Sequence, residues 1–156
     1  LVYVIYRSSR PHVSSLGRVP GVSGAYSDLS RHPENTPVPG VLIVRLDGAL
    51  YYANALTVRD HVKTMIEETQ PPPKAIIFDA SAQDDLDLTS SDVLKSLVKE
   101  LQGKGMAVAM ADVHTPVREF SRKTGLLELI GEDHLFPTVD LAVRGMEAMV
   151  ATVTPG

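Results

Sequence analysis

Three runs of apolar residues set the rhythm of this chain. Val41-Leu42-Ile43-Val44-Arg45-Leu46, Ala75-Ile76-Ile77-Phe78 and Met106-Ala107-Val108-Ala109-Met110-Ala111 are short and nearly unbroken, and each gives way to an aspartate, at Asp47, Asp79 and Asp112. Runs of that length without polar alternation predict strands covered on both faces. Between them the spacing becomes helical. Leu56, Val58, Val62, Met65 and Ile66 predict the inward face of a helix, with Asn54 as its N-cap. The triple proline at 71–73 stops that helix. Val93, Leu94, Leu97, Val98 and Leu101 predict a second helix, opened by Thr89-Ser90-Ser91-Asp92 and stopped by Gly103 and Gly105. Thr115-Pro116 predicts a cap and a first-position proline for a shorter helix closed by Gly125. Leu135-Phe136 reads as a last short strand or strand end. Thr138 then caps a final helix with Ala142, Met146, Met149, Val150 and Val153 on one face.

Strand and helix alternate after Tyr52, with connections too short for anything but crossover units. The expected fold class is therefore α/β, with a largely parallel sheet. The chain before Val41 has a different character. Residues 7–40 are rich in Ser, Gly and Pro and read as a linker running over the surface, with the compact domain starting at Val41. Within it, Gly24-Ala25-Tyr26-Ser27-Asp28 could add a strand at a sheet edge. Leu1-Val2-Tyr3-Val4-Ile5-Tyr6 is apolar and is followed by Arg7, Arg10 and His12. It is too short to span a bilayer, which takes about 20 residues, and no basic region precedes it as in a signal peptide. The end of a membrane helix and an edge strand both fit this stretch.

Composition narrows the chemistry. The 156 residues suit one domain, and the net charge of −4 with no basic stripe argues against a nucleic-acid partner. There is no cysteine, so disulfides, thiol catalysis and cysteine metal sites are excluded. Histidines at 12, 32, 61, 114 and 134 show no ligand spacing, and neither a Walker loop nor a G-x-S-x-G motif is present. No catalytic residue is assigned. The three strand-end aspartates could converge on one sheet edge and hold magnesium for phosphoryl transfer. Aspartate also ends strands readily, because it suits turns and caps. Asp47 is followed by Gly48 rather than by an acid, and no lysine follows Met106–Asp112 before the next helix, so that pattern fails and no metal is expected.

In open α/β sheets, ligands collect at the carboxyl edge of the strands and at helix N-termini. Asp79, Asp87 and Thr89 mark that edge here. The hydroxyls of Thr89, Ser90 and Ser91 have an ordinary use as caps, worth about 1 kcal/mol. They could also receive a nucleotide phosphate or, at Thr89, be phosphorylated at the positive end of the helix.

A set of phrases runs through Arg10-Pro11-His12, Leu16-Gly17-Arg18-Val19-Pro20-Gly21 and Arg31-His32-Pro33-Glu34. It continues through Pro39-Gly40-Val41-Leu42-Ile43-Val44-Arg45-Leu46-Asp47-Gly48, Leu50-Tyr51-Tyr52-Ala53-Asn54-Ala55 and Leu135-Phe136-Pro137-Thr138-Val139-Asp140-Leu141-Ala142. On these residues the domain from Val41 to Val150 resembles a STAS domain, the fold shared by bacterial anti-sigma-factor antagonists and the cytoplasmic tails of SulP anion permeases. The segment before it resembles the chain that follows the last membrane helix of those permeases. The resemblance spans nearly the whole chain. It implies a mostly parallel mixed sheet flanked by four or five helices. It also implies residues 1–6 as the end of a truncated last membrane helix, 7–40 as a juxtamembrane linker, 41–153 as the STAS domain and 154–156 as a tail. The implied role is that of a regulatory domain on the cytoplasmic face of a sulfate or anion transporter. Its own transmembrane domain would be one partner, a regulatory protein another.

Several STAS domains bind GTP or ATP near this edge. That implies a GTP, GDP or ATP ligand near Asp87, Thr89, Ser90 and Ser91, with Asp79, Asp47, Asn54, Asp112 and Thr115 as neighbours. In the antagonists the phosphorylated serine lies in Asp-Ser-Ser-Gly. The matching residues are Asp87-Leu88-Thr89-Ser90, so Thr89 takes the acceptor position, while Leu88 replaces the first serine and Ser90 the glycine. A free-standing antagonist switched at Thr89 is the alternative function.

Overall fold

The three apolar runs lie side by side at the middle of one sheet. In the computed structural model, which describes residues 13–153, the strands are β1 (Val13–Arg18), β2 (Tyr26–Asp28), β3 (Val41–Leu46), β4 (Ala75–Asp79), β5 (Ala107–Ala111) and β6 (Leu135–Phe136). Their order across the sheet is β2-β1-β3-β4-β5-β6. β3 to β6 run parallel. β1 is antiparallel to both β2 and β3. The fold is thus α/β with a mostly parallel mixed sheet, as the alternation of strands and helices demands.

Continuous apolar strands follow from burial on both faces. Leu42, Val44, Ile76, Phe78, Val108 and Met110 enter one core with Val58, Val62, Leu97, Val98 and Leu101. Their neighbours Val41, Ile43, Ala75, Ile77, Ala109 and Ala111 enter a second core on the opposite face, with Ala142, Val143 and Met146. The helices that supply these partners are α1 (Ala55–Glu68), α2 (Leu88–Gly103), α3 (Thr115–Thr124), α4 (Leu126–Ile130) and α5 (Val139–Val153). Among them α5 serves the second core and the rest serve the first.

Helix positions depart from expectation in four places. Leu56 does not point inward: α1 buries Ala55, Val58, Val62 and Ile66, and Leu56 is exposed. At 100° per residue its neighbour Ala55 occupies the core stripe instead. Asn54 stands at the N-cap position without capping. Its Oδ1 accepts the Tyr51 N–H at 2.8 Å and its Nδ2 donates to the Ala49 carbonyl at 2.9 Å, so it closes the preceding turn. Helix α3 starts with His114 as N-cap and Thr115 already helical. Gly125, at φ 86°, closes α3 and opens the short α4 that the sequence pattern did not separate. Thr138 caps α5 as expected, its Oγ1 accepting the Leu141 N–H at 3.1 Å.

The largest difference concerns the supposed linker. Residues 13–18 are not surface chain but a strand inserted between β2 and β3, with Ser14, Leu16 and Gly17 buried. Its low apolar content is offset by bonds to neighbours. Ser14 Oγ donates to Asp47 and lies 3.4 Å from Asp28 Oδ2. Tyr26–Asp28 forms the edge strand, and two contacts join this hairpin to α5: Arg18 to Glu147 at 2.7 Å and Tyr26 Oη to Asp140 at 2.9 Å. Burial and the Asp140 carboxylate both push the Tyr26 phenol up. The packed domain therefore begins well before Val41. The membrane-helix expectation for residues 1–6 and the tail at 154–156 lie outside the described residues. Among the described residues, no helix is long and apolar enough to cross a membrane.

Candidate functional site

Parallel pairing brings the carboxyl ends of β3, β4 and β5 to one edge, with Arg45 beside Asp79 and Asp79 beside Ala111. Three loops leave from there: 47–54, 80–87 and 112–114. They are tied together by side chains. The buried Gln83 reaches from the second loop to the first, its Oε1 accepting the Leu50 N–H and its Nε2 donating to the Gly48 carbonyl, both at 2.8 Å. His114 Nε2 meets the Ser81 carbonyl at 2.7 Å, joining the third loop to the second.

Asp87 is the junction of this edge. It is the true N-cap of α2, its Oδ1 accepting the Ser90 N–H at 2.7 Å. Its Oδ2 accepts the Tyr52 N–H from the first loop at 2.8 Å. The Ser90 N–H holds the Asp87 carboxyl below the usual carboxylate range against the opposing effect of burial, and the Tyr52 N–H adds a smaller pull in the same downward direction. Capping falls to Asp87, and the three hydroxyls after it are free for other contacts. Thr89 is exposed in the first turn of α2. Ser90 and Ser91 face inward and are fully buried. Ser91 Oγ donates to Thr124 Oγ1 of α3 at 2.7 Å. Ser90 Oγ has no protein partner.

The remaining predicted residues are distributed along the edge in separate local roles. Asp79 is buried and accepts the Ser81 N–H at 3.0 Å, closing the turn after β4. Asp47 is held by Ser14 and Arg45 on the antiparallel side of the sheet. Asp112 adopts φ 56°, a left-handed conformation that aspartate tolerates, and its N–H bonds the Phe136 carbonyl at 3.0 Å. Asn54 holds its own turn, and Thr115 is exposed at the head of α3. The strand-end carboxylates do not converge: no group of three or more His, Asp or Glu among the described residues could hold a metal ion.

Four bulky residues whose exposure the sequence pattern did not predict shape the surface. Tyr52 is 71% exposed, Leu88 61%, Leu56 54% and Tyr51 47%. The Tyr51 and Tyr52 rings meet edge to face at 5.7 Å. Through the Tyr52 N–H and the Asp87 carboxylate this aromatic pair adjoins Leu88. The one available signal was the run Leu50-Tyr51-Tyr52, bulky apolar residues in a loop rather than in an element.

The STAS domain profile matches residues 32–142. The chain belongs to the STAS domain family. This STAS domain is 35% identical over 144 residues to a probable sulfate transporter of Mycobacterium tuberculosis, covering 92% of this chain and 26% of that protein. It is 30% identical over 148 residues to sulfate transporter 1.3 of Arabidopsis thaliana, covering 90% and 22%. The homology is thus to SulP sulfate transporters, and the chain spans about a quarter of the length of these curated relatives. The fold is shared with the murine solute carrier 26 family member A9 anion transporter in its inward-facing state, with a TM-score of 0.80 at 23% identity over 94% of this chain and 24% of that one. The SulP transporter STAS domain of Vibrio cholerae gives 0.63 at 19% identity, over 80% and 94%. An anti-sigma factor antagonist of Mycobacterium paratuberculosis gives 0.60 at 18%, over 87% and 95%. The STAS match begins at His32, yet β1 and β2 of this STAS domain precede it and complete the sheet.

Proposed function

We propose that this STAS domain is the regulatory domain of a SulP-type sulfate or anion transporter, carried on the cytoplasmic face of the membrane and acting on its own transmembrane domain. The observation that supports this most is the 35% identity to a probable sulfate transporter, which extends over 92% of the chain and so takes in residues beyond the 32–142 match. The domain has no assigned catalytic residue. Its histidine nearest the edge, His114, is bonded to a backbone carbonyl rather than to a nucleophile. Regulation would work by binding at the Asp87 edge and biasing the attached membrane part.

Two classes of ligand compete for that edge. A nucleotide (GTP, GDP or ATP) would approach the exposed Thr89 and the Leu88 and Thr89 N–H groups, which by helix geometry lack intrahelical acceptors. Its phosphates would meet the Asp87 carboxylate first, with Asp84, Asp85 and Asp92 exposed close by in sequence. A polypeptide partner would meet exposed tyrosine and leucine side chains instead. Charge and exposure favour the polypeptide. The alternative of a free-standing antagonist switched by phosphate at Thr89 draws on the exposed hydroxyl of that residue and on the fold shared with an antagonist.

Sulfate uptake tests the main reading. In a host lacking its own sulfate transport, the full-length transporter with residues 13–153 deleted should reach the membrane yet show altered uptake. Unchanged uptake would overturn the regulatory role. Backbone amide titration of the isolated chain with GTP, GDP and ATP tests the nucleotide: saturable shifts at 87–92 are its signature, and flat titrations with all three remove it.

A further inference from the structure

From Ala75 to Leu94 the chain carries Asp79, Asp84, Asp85, Asp87 and Asp92 and neither lysine nor arginine. Asp84, Asp85 and Asp92 are exposed. None of the three enters a described ion pair, whereas Arg59, the cation one turn into α1, is already paired with Asp60 at 2.9 Å. This acidic arc meets exposed apolar side chains at Asp87, which precedes the exposed Leu88 and accepts the N–H of the exposed Tyr52, itself packed edge to face on Tyr51. Exposed tyrosine and leucine side chains brought together in this way mark a contact surface. A single sign of charge around it selects the partner's charge and speeds encounter. Phosphate ligands and acidic proteins are repelled here, and a purely polar cation would leave the tyrosines and leucines uncovered.

We propose that this edge docks a cationic amphipathic stretch of polypeptide, with lysine or arginine side chains against Asp84, Asp85 and Asp92 and apolar side chains against Tyr52 and Leu88. The inference rests on the regulatory reading above and gives its partner a chemistry. The segment belongs to the transporter's membrane domain, because segments flanking membrane helices on the cytoplasmic side carry an excess of lysine and arginine. Asp87 has a separate task here. Its carboxylate is spent on the Ser90 and Tyr52 N–H groups, so it sets the distance between the aromatic pair and Leu88 rather than binding the partner's cation.

The test uses the isolated chain and two short synthetic helical peptides of Leu and Ala, one with lysine and the other with glutamate on its polar face. Amide shifts and affinity are read by NMR. The lysine peptide should give saturable shifts confined to 51–56 and 84–92, and the glutamate peptide none. The double substitution Tyr52→Ser with Leu88→Ser falls on two largely exposed side chains and should weaken binding about tenfold, as loss of two interface anchors does. Asp84→Asn with Asp85→Asn should weaken it too and flatten its salt dependence, since contacts between exposed charges are screened at about 1 M salt. Shifts spread over the other acidic surfaces, such as Glu67, Glu68 and Glu132, would overturn the proposal, as would full affinity in the Ser double variant or no binding at all. Those outcomes would leave the regulatory reading standing, because that reading falls on the uptake assay. A second peptide series copied from the basic cytoplasmic segments of the full-length transporter identifies the source. If none of them binds while the generic lysine peptide does, assignment to the membrane domain is overturned.

Discussion

At the scale of single residues, Asp87 does the work the sequence assigned to hydroxyls. Asp87→Ala should remove both the cap of α2 and the tether to Tyr52, costing about 1 kcal/mol from the cap alone, with the Tyr52 amide losing its protection from hydrogen exchange. Because the folded-state carboxyl lies below its unfolded value, its contribution is complete above the unfolded pKa and fades as pH falls through the folded one. The stability gap between wild type and Asp87→Ala, measured by urea unfolding, should therefore be constant near neutrality and shrink below about pH 5. Gln83 makes a second residue-scale case. Gln83→Ala leaves the Leu50 N–H and Gly48 carbonyl without their partner, an expected loss of about 1–3 kcal/mol by thermal or urea unfolding, with faster exchange at Leu50. Asp87 was legible as a marker of the carboxyl edge but not as the cap, although aspartate is among the best N-caps. Thr89 competed for the role because threonine caps too, and only the backbone geometry separates them. Gln83 was illegible: nothing local distinguishes a buried bridging glutamine from a loop glutamine, because its partners lie 33 and 35 residues away.

At the scale of elements, legibility tracked burial on both faces. β3, β4 and β5 could be read from apolar runs because each of their faces meets a core. β1 could not: Val13-Ser14-Ser15-Leu16-Gly17-Arg18 offers little apolar signal, and what fixes it is pairing to β3 plus the Ser14–Asp47 contact. The Ser-Gly-Pro composition of 7–40 described the turns correctly and hid the strand between them. The structure thereby predicts the behaviour of a shortened protein. A chain of residues 41–156 keeps every element after the supposed linker but strips β1 and β2, uncovers Leu16's neighbours in the second core and leaves β3 as an open edge. Unpaired edges of this kind recruit other chains. On gel filtration that shortened chain should run as soluble aggregate, where the full chain gives a discrete peak, and its unfolding transition should be broad or absent. A sharp transition in the 41–156 chain would mean that β1 is dispensable.

At the scale of the whole molecule, the two cores are unequally furnished. One face of the sheet is covered by α1, α2, α3 and α4, the other by α5 alone among the helices. The two faces share their strands, since Val41 and Ile43 pack into one core while Leu42 and Val44 between them pack into the other. Loss of cover on one side must therefore be felt on both. Helix α5 is also where the hairpin is anchored, through Arg18–Glu147 and Tyr26–Asp140. Phe136 closes against Gly145, where a Cβ would approach the ring to 2.7 Å, so α5 and β6 fit only because that residue lacks a side chain. Three attachments thus converge on one helix: the buried Ala142, Val143 and Met146, the hairpin pairs, and the Phe136–Gly145 contact. Ending the chain after Thr138 removes all of them together. The expected result is not a frayed end but loss of the cooperative transition, with circular dichroism declining gradually in urea and the amides of β3 and β4 losing exchange protection. Gly145→Val probes the same dependence more gently, since it breaks the Phe136 contact while keeping the helix. It should shift the urea midpoint downward by an amount equivalent to about 1–3 kcal/mol, the usual cost of overpacking, while a single transition remains. If the shortened chain instead kept a sharp transition at a lower midpoint, the α1–α4 face would be an independently stable unit, and the shared-strand coupling described here would be wrong.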